Sequence, residues 1–355
     1  MKTNNRNLSI ISEYRGALFG LSIISIIVFH YFNDVIQWRR HDALYKTAIL
    51  YHDIFGSVGV EIFLFLSGVG LYYSMCGNLS IKAFYAKRFK RVMIPYLFFG
   101  VVYWFIRDVI LYSEGLFHFA ADLSLVTFWI SGTRVFWYIA FILIAYILFP
   151  FLFKIINGKI NGKDASGMVC ILLVLGWTAL CCFIHHVSPD YYEKIEIALC
   201  RFPIFIAGCG YGKKIRNREK FGLAENILTV FGLILITLKM LCKSHLVDVE
   251  FFIPKRFLPF FFSISLIFIL CYLLEMLNSS KLNRALSFVG SYSLELFYDA
   301  CGHSIHFTER GFSHAQNHNV HSLYAAVGYA KRCDSPGKQK NYKLNKMTVV
   351  LVAVF

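Results

Sequence analysis

The chain has 355 residues, of which 57% are apolar and only 16% charged. Soluble domains usually carry about 25% charged residues, so this balance excludes an ordinary water-soluble enzyme. The formal net charge of +15 does not mark a nucleic-acid binder, because the Lys and Arg sit in short loops between apolar runs and not on one soluble scaffold.

Apolar runs of about 20 residues, the length a bilayer core demands of a helix, recur along the chain. They lie near 16–32, 54–74, 92–112, 135–154, 167–186, 197–211, 222–241, 257–277 and 286–299. The stretch 123–130 is short and aromatic and reads as interfacial or re-entrant. The abundant Phe and Tyr suit lipid-facing and interfacial positions. The expected fold is all-α, a polytopic membrane helical bundle of about 9–10 transmembrane helices. The first run continues through Phe29, His30, Tyr31 and Phe32 without a small-residue cleavage site, so no cleavable leader is expected. The ten Cys show no C-x-x-C pair and no metal-ligand spacing, and neither disulfides nor a metal is expected.

Basic residues alternate between connections. Lys2, Arg6 and Arg15 precede the first span; Lys82, Lys87, Arg88, Lys90 and Arg91 follow the second. Further on come Lys154, Lys159 and Lys163, then Lys213, Lys214, Arg216, Arg218 and Lys220, then Lys281 and Arg284. The positive-inside rule places these on the cytoplasmic side, with the N-terminus. The connection 242–256, with Lys243, Lys255 and Arg256, fits this pattern least well.

Three constellations can carry chemistry. An ionisable residue inside a membrane is a functional candidate by default, and His30 lies near the outer end of the first span, with Arg15 at its inner end. A His there can take a proton from an attacking hydroxyl; the alternative is an interfacial His bonded to lipid headgroups. Glu61, in GVEIFLFLSGVGLYYS (59–74), is expected at about the depth of His30, where a carboxylate would orient the imidazole. Gly68 and Gly70 in the same stretch permit close approach by a neighbouring helix or a substrate. Arg88 and Arg91, three apart in FYAKRFKRVMIPY (84–96), share a helix face and suit phosphates, though topology and lipid headgroups also explain such clusters. Weaker candidates are Arg134, Trp137 and Tyr138, which could bind a sugar, together with Arg201 and Glu295; each of these, taken alone, reads as structural before catalytic.

Together these stretches resemble the acyltransferase 3 family over about residues 12–297. YRGALFGLSIISIIVFHYF resembles its first helix, GVEIFLFLSGVGLYYS its second, and YAKRFKRVMIPY its Arg-x-x-Arg-x-x-x-Pro entrance; FWYIAFILIAYILFP and LSFVGSYSLELF fit later helices. The resemblance implies His30 as catalytic base, assisted by Glu61, with Arg15, Arg88 and Arg91 at the acyl donor. That donor would be acyl-CoA, with acetyl-CoA favoured, presented from the cytoplasm. The acceptor would be a hydroxyl of an extracytoplasmic glycan or similar molecule, and the location the plasma (inner) membrane, among its lipids. Many members have a basic residue ten residues before the His, a position held here by Phe19, whereas Arg15 is about 60° round the helix from His30. After SLELF the chain turns polar, so 1–297 reads as the transmembrane domain and 298–355 as an atypical tail, disordered or out of frame, in which His303 and His306 are coincidental. A transporter or flippase for a surface-glycan precursor, and an inactive remnant of the family, are the rival expectations.

Overall fold

The computed structural model describes residues 7–37, 42–77, 80–160, 163–241 and 258–297. The connection containing Lys243, Lys255 and Arg256, and the tail containing His303 and His306, lie outside the described residues.

A single turn, α1 (Ile10–Glu13), leads into α2 (Arg15–Gln37), followed by α3 (Ala43–Phe55) and α4 (Val58–Met75). Next comes α5 (Ile81–Trp104), which passes into a π-helical turn, Phe105–Leu111. Two short helices, α6 (Gly115–Leu123) and α7 (Val126–Ser131), precede α8 (Trp137–Ile156). A two-residue antiparallel hairpin, β1 (Lys159–Ile160) with β2 (Lys163–Asp164), connects to α9 (Ser166–Val187). The described chain continues through α10 (Pro189–Leu199), α11 (Phe202–Arg216), α12 (Leu223–Leu241), α13 (Leu258–Leu277) and α14 (Ser280–Ser291).

Among the described residues, seven helical stretches are long and apolar enough to cross a membrane, and Leu223–Leu238 is a shorter apolar one. The molecule is a multi-pass, all-α membrane bundle. Three boundaries differ from the hydropathy reading. The polar-looking stretch before the second span folds as α3, started by the Asp42 carboxylate accepting from Tyr45 N–H at 2.9 Å. The third span begins at Ile81, because Ser80 caps it, accepting from Ala83 N–H at 3.2 Å, and Lys and Arg are good helix formers. The last span starts early at Ser280, turns at Tyr292 and resumes as helix over 293–297.

Helices α4 and α11 form the buried axis. A Cβ on Gly68 would stand 2.6 Å from Phe205 O and 2.8 Å from Cys209 N, and one on Gly208 would collide with Phe65 O. Small residues thus let the two backbones touch. On α9, by contrast, Ile171, Leu172, Leu175 and Phe183 point outward, as lipid-facing side chains do. Helix α14 lies directly on α2, where side chains on Gly20 and Gly290 would strike Leu286 O and Gly16 O.

The basic connections gather at one end of the bundle. Leu8 N–H donates to Glu219 O at 2.7 Å, Tyr72 Oη to Asn157 Oδ1 at 2.8 Å, and Lys213 Nζ to Asp164 Oδ1 at 2.8 Å. The opposite end is closed by α6, α7 and α10. There Arg107 Nη1 lies 3.0 Å from Asp122 Oδ2 and 3.5 Å from Asp108 Oδ1, and His118 Nε2 lies 3.1 Å from Glu114 and 3.5 Å from Asp122. Those bonds tie α6 to the π-helical turn.

Candidate functional site

The Ser80 cap fixes the start of α5, so that Arg88 and Arg91 project toward α2 and α8 while Lys87 and Lys90 stay exposed. Arg15, at the first residue of α2, comes to the same place. All three line one cavity of about 620 Å³, counting its open mouth. Tyr146 of α8 and Ser67 and Gly70 of α4 complete its basic half. Gly70 leaves room for the guanidinium, because a Cβ there would meet Arg15 Nη2. The Arg15 guanidinium rests on the Phe19 ring, 5.3 Å from its centroid.

Among the described residues no carboxylate pairs with Arg15, Arg88 or Arg91. The Nε atoms of Arg15 and Arg88 are buried and have no hydrogen-bond partner. Buried guanidinium donors are ordinarily satisfied, and three like charges at one cavity repel one another. The set therefore fits a polyanion, with planar donor forks matched to phosphate oxygens.

The far side of the cavity is aromatic. Phe19 and Phe63 meet edge-on at 5.0 Å between centroids, as do Phe63 and Tyr138 at 5.7 Å, and Tyr138 and Phe297 lie tilted at 4.8 Å. Phe63, Tyr138 and Phe297 are buried while Arg91 is exposed, so the cavity opens at its basic end and is closed by rings at the other.

His30 lies beyond those rings. It follows Phe19 by eleven residues on α2, about 16 Å along the axis and about 20° round it. Its neighbour Phe29 stacks on His52 of α3 at 5.2 Å. Glu61 takes a different place from the one expected. Ser22 Oγ donates to Gly59 O, which sets the register of α2 against α4, and Glu61 lies two residues after that contact. His30 lies eight residues past Ser22, about 12 Å further along α2. The buried Glu61 carboxylate accepts from Ser263 Oγ of α13 at 2.6 Å. The expectation of equal depth fails because α2 extends past the start of α4 and is covered there by α3.

The three sugar-binding candidates diverge. Arg134 Nη2 donates to Glu193 O at 2.6 Å and lies 3.7 Å from Glu196, fastening the segment before α8 to α10. Trp137 faces Arg201, whose guanidinium is 4.8 Å from a Trp137 ring centroid. Only Tyr138 reaches the cavity. Glu295 is exposed. Tyr146 escaped the sequence reading, although a second hydroxyl-bearing ring in the otherwise apolar WYIAFILIAYILFP was a usable signal.

The chain matches the model of the acyltransferase domain family, Acyl_transf_3, over residues 20–297. It is a member of the acyltransferase 3 family. The match takes in His30, Glu61, Arg88, Arg91, Arg134, Trp137 and Tyr138 and begins after Arg15. No curated protein and no solved structure matches the chain. Membership makes this protein a membrane acyltransferase and favours acyl transfer over transport.

Proposed function

We propose that this acyltransferase moves an acyl group, acetyl in the first instance, from acyl-CoA to a hydroxyl of an extracytoplasmic glycan or similar acceptor. The basic end faces the cytoplasm of the cell whose plasma (inner) membrane holds it. One observation carries the reading: Arg15, Arg88 and Arg91 converge on one cavity without a carboxylate partner among the described residues.

When bound, acyl-CoA supplies a thioester carbonyl open to attack. Arg15, Arg88 and Arg91 bind phosphate oxygens through charge-assisted hydrogen bonds, and the Gly70 gap keeps the Arg15 guanidinium within reach. His30 acts as general base, accepting the acceptor hydroxyl's proton on a ring nitrogen as the hydroxyl oxygen bonds to the thioester carbonyl carbon. The C–S bond then breaks, and the departing CoA thiolate takes up that proton as a thiol. Glu61 serves as a positioning residue, holding α4 to α13 through Ser263 and so fixing the wall that carries Phe63. The aromatic rings exclude water from the path between the two.

The test is transfer from labelled acetyl-CoA into membrane or surface glycan, with His30→Ala alongside the wild type. The expected outcome is transfer by the wild type and a loss of about 100-fold or more in the variant. Equal transfer by both proteins would remove His30 from the mechanism. No transfer by a folded wild type that binds CoA would point to the inactive-remnant reading.

A further inference from the structure

Resting on the acyl-CoA reading above, we infer that the ring cluster Phe19–Phe63–Tyr138–Phe297 is the acyl-length filter of this enzyme, admitting short acyl groups and excluding long ones. Any acyl group held through phosphates at the basic end must pass these rings to reach His30. Phe19 lies between Arg15 and His30 on one helix, one turn beyond Arg15 and on nearly the same face as His30. The centroid separations of 5.0, 5.7 and 4.8 Å are those of rings in contact, so the cluster packs as one wall.

The rings belong to three different walls. Phe19 is on α2, Phe63 on α4 and Tyr138 on α8, with Phe297 closing over Tyr138 from the helical residues 293–297. Passage therefore requires one ring to turn aside. Phe63 is the natural one, because it contacts both Phe19 and Tyr138 and lines the cavity with them. Nothing charged lines this stretch, whose polar groups are the Tyr138 hydroxyl and the small Ser293, so the filter acts by size and not by charge. A packed aromatic wall yields to a small group at little cost, whereas each further methylene must displace more of it. Discrimination by size in such a pocket runs at about 10–200-fold per methylene.

The experiment measures binding of CoA, acetyl-CoA and hexanoyl-CoA to the purified full-length protein in detergent. The variants are Phe63→Ala, Phe63→Leu and Phe19→Leu. The two Leu variants keep most of the packing and carry the test where the Ala variant fails to fold. The wild type is expected to bind acetyl-CoA more tightly than hexanoyl-CoA by about tenfold or more. The variants are expected to shift that ratio toward hexanoyl-CoA by about tenfold or more, with the same shift in relative transfer rates. If CoA binds the wild type but the ratio stays fixed in folded variants, the rings are ordinary core and the filter is overturned. If CoA itself does not bind the wild type, the acyl-CoA reading fails and the filter falls with it. The two failures are thus distinguishable.

Discussion

The two ends of the bundle handle charge in opposite ways. At the end closed by α6, α7 and α10, opposite charges sit together. Arg107 hydrogen-bonds Asp122 and lies 3.5 Å from Asp108, whose two buried carboxylate oxygens accept no hydrogen bond among the described residues. His118 lies between Asp122 and Glu114. At the basic end, Arg15, Arg88 and Arg91 share a cavity with tyrosine, serine and glycine, and with no carboxylate among the described residues. A buried charge costs several kcal/mol unless it is paired. In the first arrangement opposite charges offset part of that cost within the fold, while in the second, where Arg15 and Arg88 are half-buried and Arg91 is exposed, like charges stand together at an open cavity. The difference is one of sign: mixed charges gather at one end and like charges at the other.

The sharpest way to break the comparison is Arg107→Ala. It leaves Asp108 and Asp122 buried without the guanidinium they share, and should cost about 3–5 kcal/mol of stability. The unfolding midpoint in detergent reads this, with partial rescue by adding Asp122→Asn; a variant as stable as the wild type would show that the outer charges do not hold the fold. Next comes the double change Arg88→Ala with Arg91→Ala. Removing two charge-assisted contacts, at about 1.5–3 kcal/mol each, should weaken CoA binding about 100-fold or more while leaving the unfolding midpoint within a few degrees. A midpoint that collapses instead would make these arginines structural.

Gly70→Ala sharpens the contrast. The new Cβ meets only the far end of the flexible Arg15 side chain, so the fold should tolerate it while the guanidinium moves. CoA binding should fall about tenfold, the equivalent of about 1.4 kcal/mol, with stability little changed. The smallest effect is expected at Asp164. Hydrogen bonds from Lys213 Nζ and Ser166 N–H hold its carboxyl down at about 2, below its ordinary 3.8. The contribution is fully present above the ordinary value and is lost as pH falls through about 2. The side chain is 51% exposed, so solvent screening limits the contribution to about 0.5 kcal/mol. Asp164→Asn should lower the unfolding midpoint slightly at pH 6, and that gap should close toward pH 2.

Much of the basic end was legible in the sequence. Arg88 and Arg91 are three apart on a helix that begins at a capping Ser, and that spacing alone sends both to one face. Arg15 was harder, because no local pattern says that Gly70, fifty-five residues later, leaves a gap for its guanidinium. The sugar-binding trio misled for a related reason. Arg134, Trp137 and Tyr138 are neighbours in sequence, yet the approach to α8 turns them toward α10, Arg201 and the cavity respectively. The Arg107, Asp108 and Asp122 cluster went unremarked, because its members meet through a π-helical turn that hydropathy does not register.

By itself the sequence determined that the chain is helical and crosses a membrane, since runs of apolar residues have no other way to satisfy their backbones in lipid. It also determined which connections share an end, through the alternation of Lys and Arg, and it carried the family's motifs in order. Tertiary structure decided which ionisable groups pair with one another and which line the cavity. Glu61 meets a serine 202 residues away, and its level along α2 is set by where Ser22 touches Gly59. Helix register and crossing are fixed by contacts between distant segments, and those contacts decide whether a buried charge finds a partner.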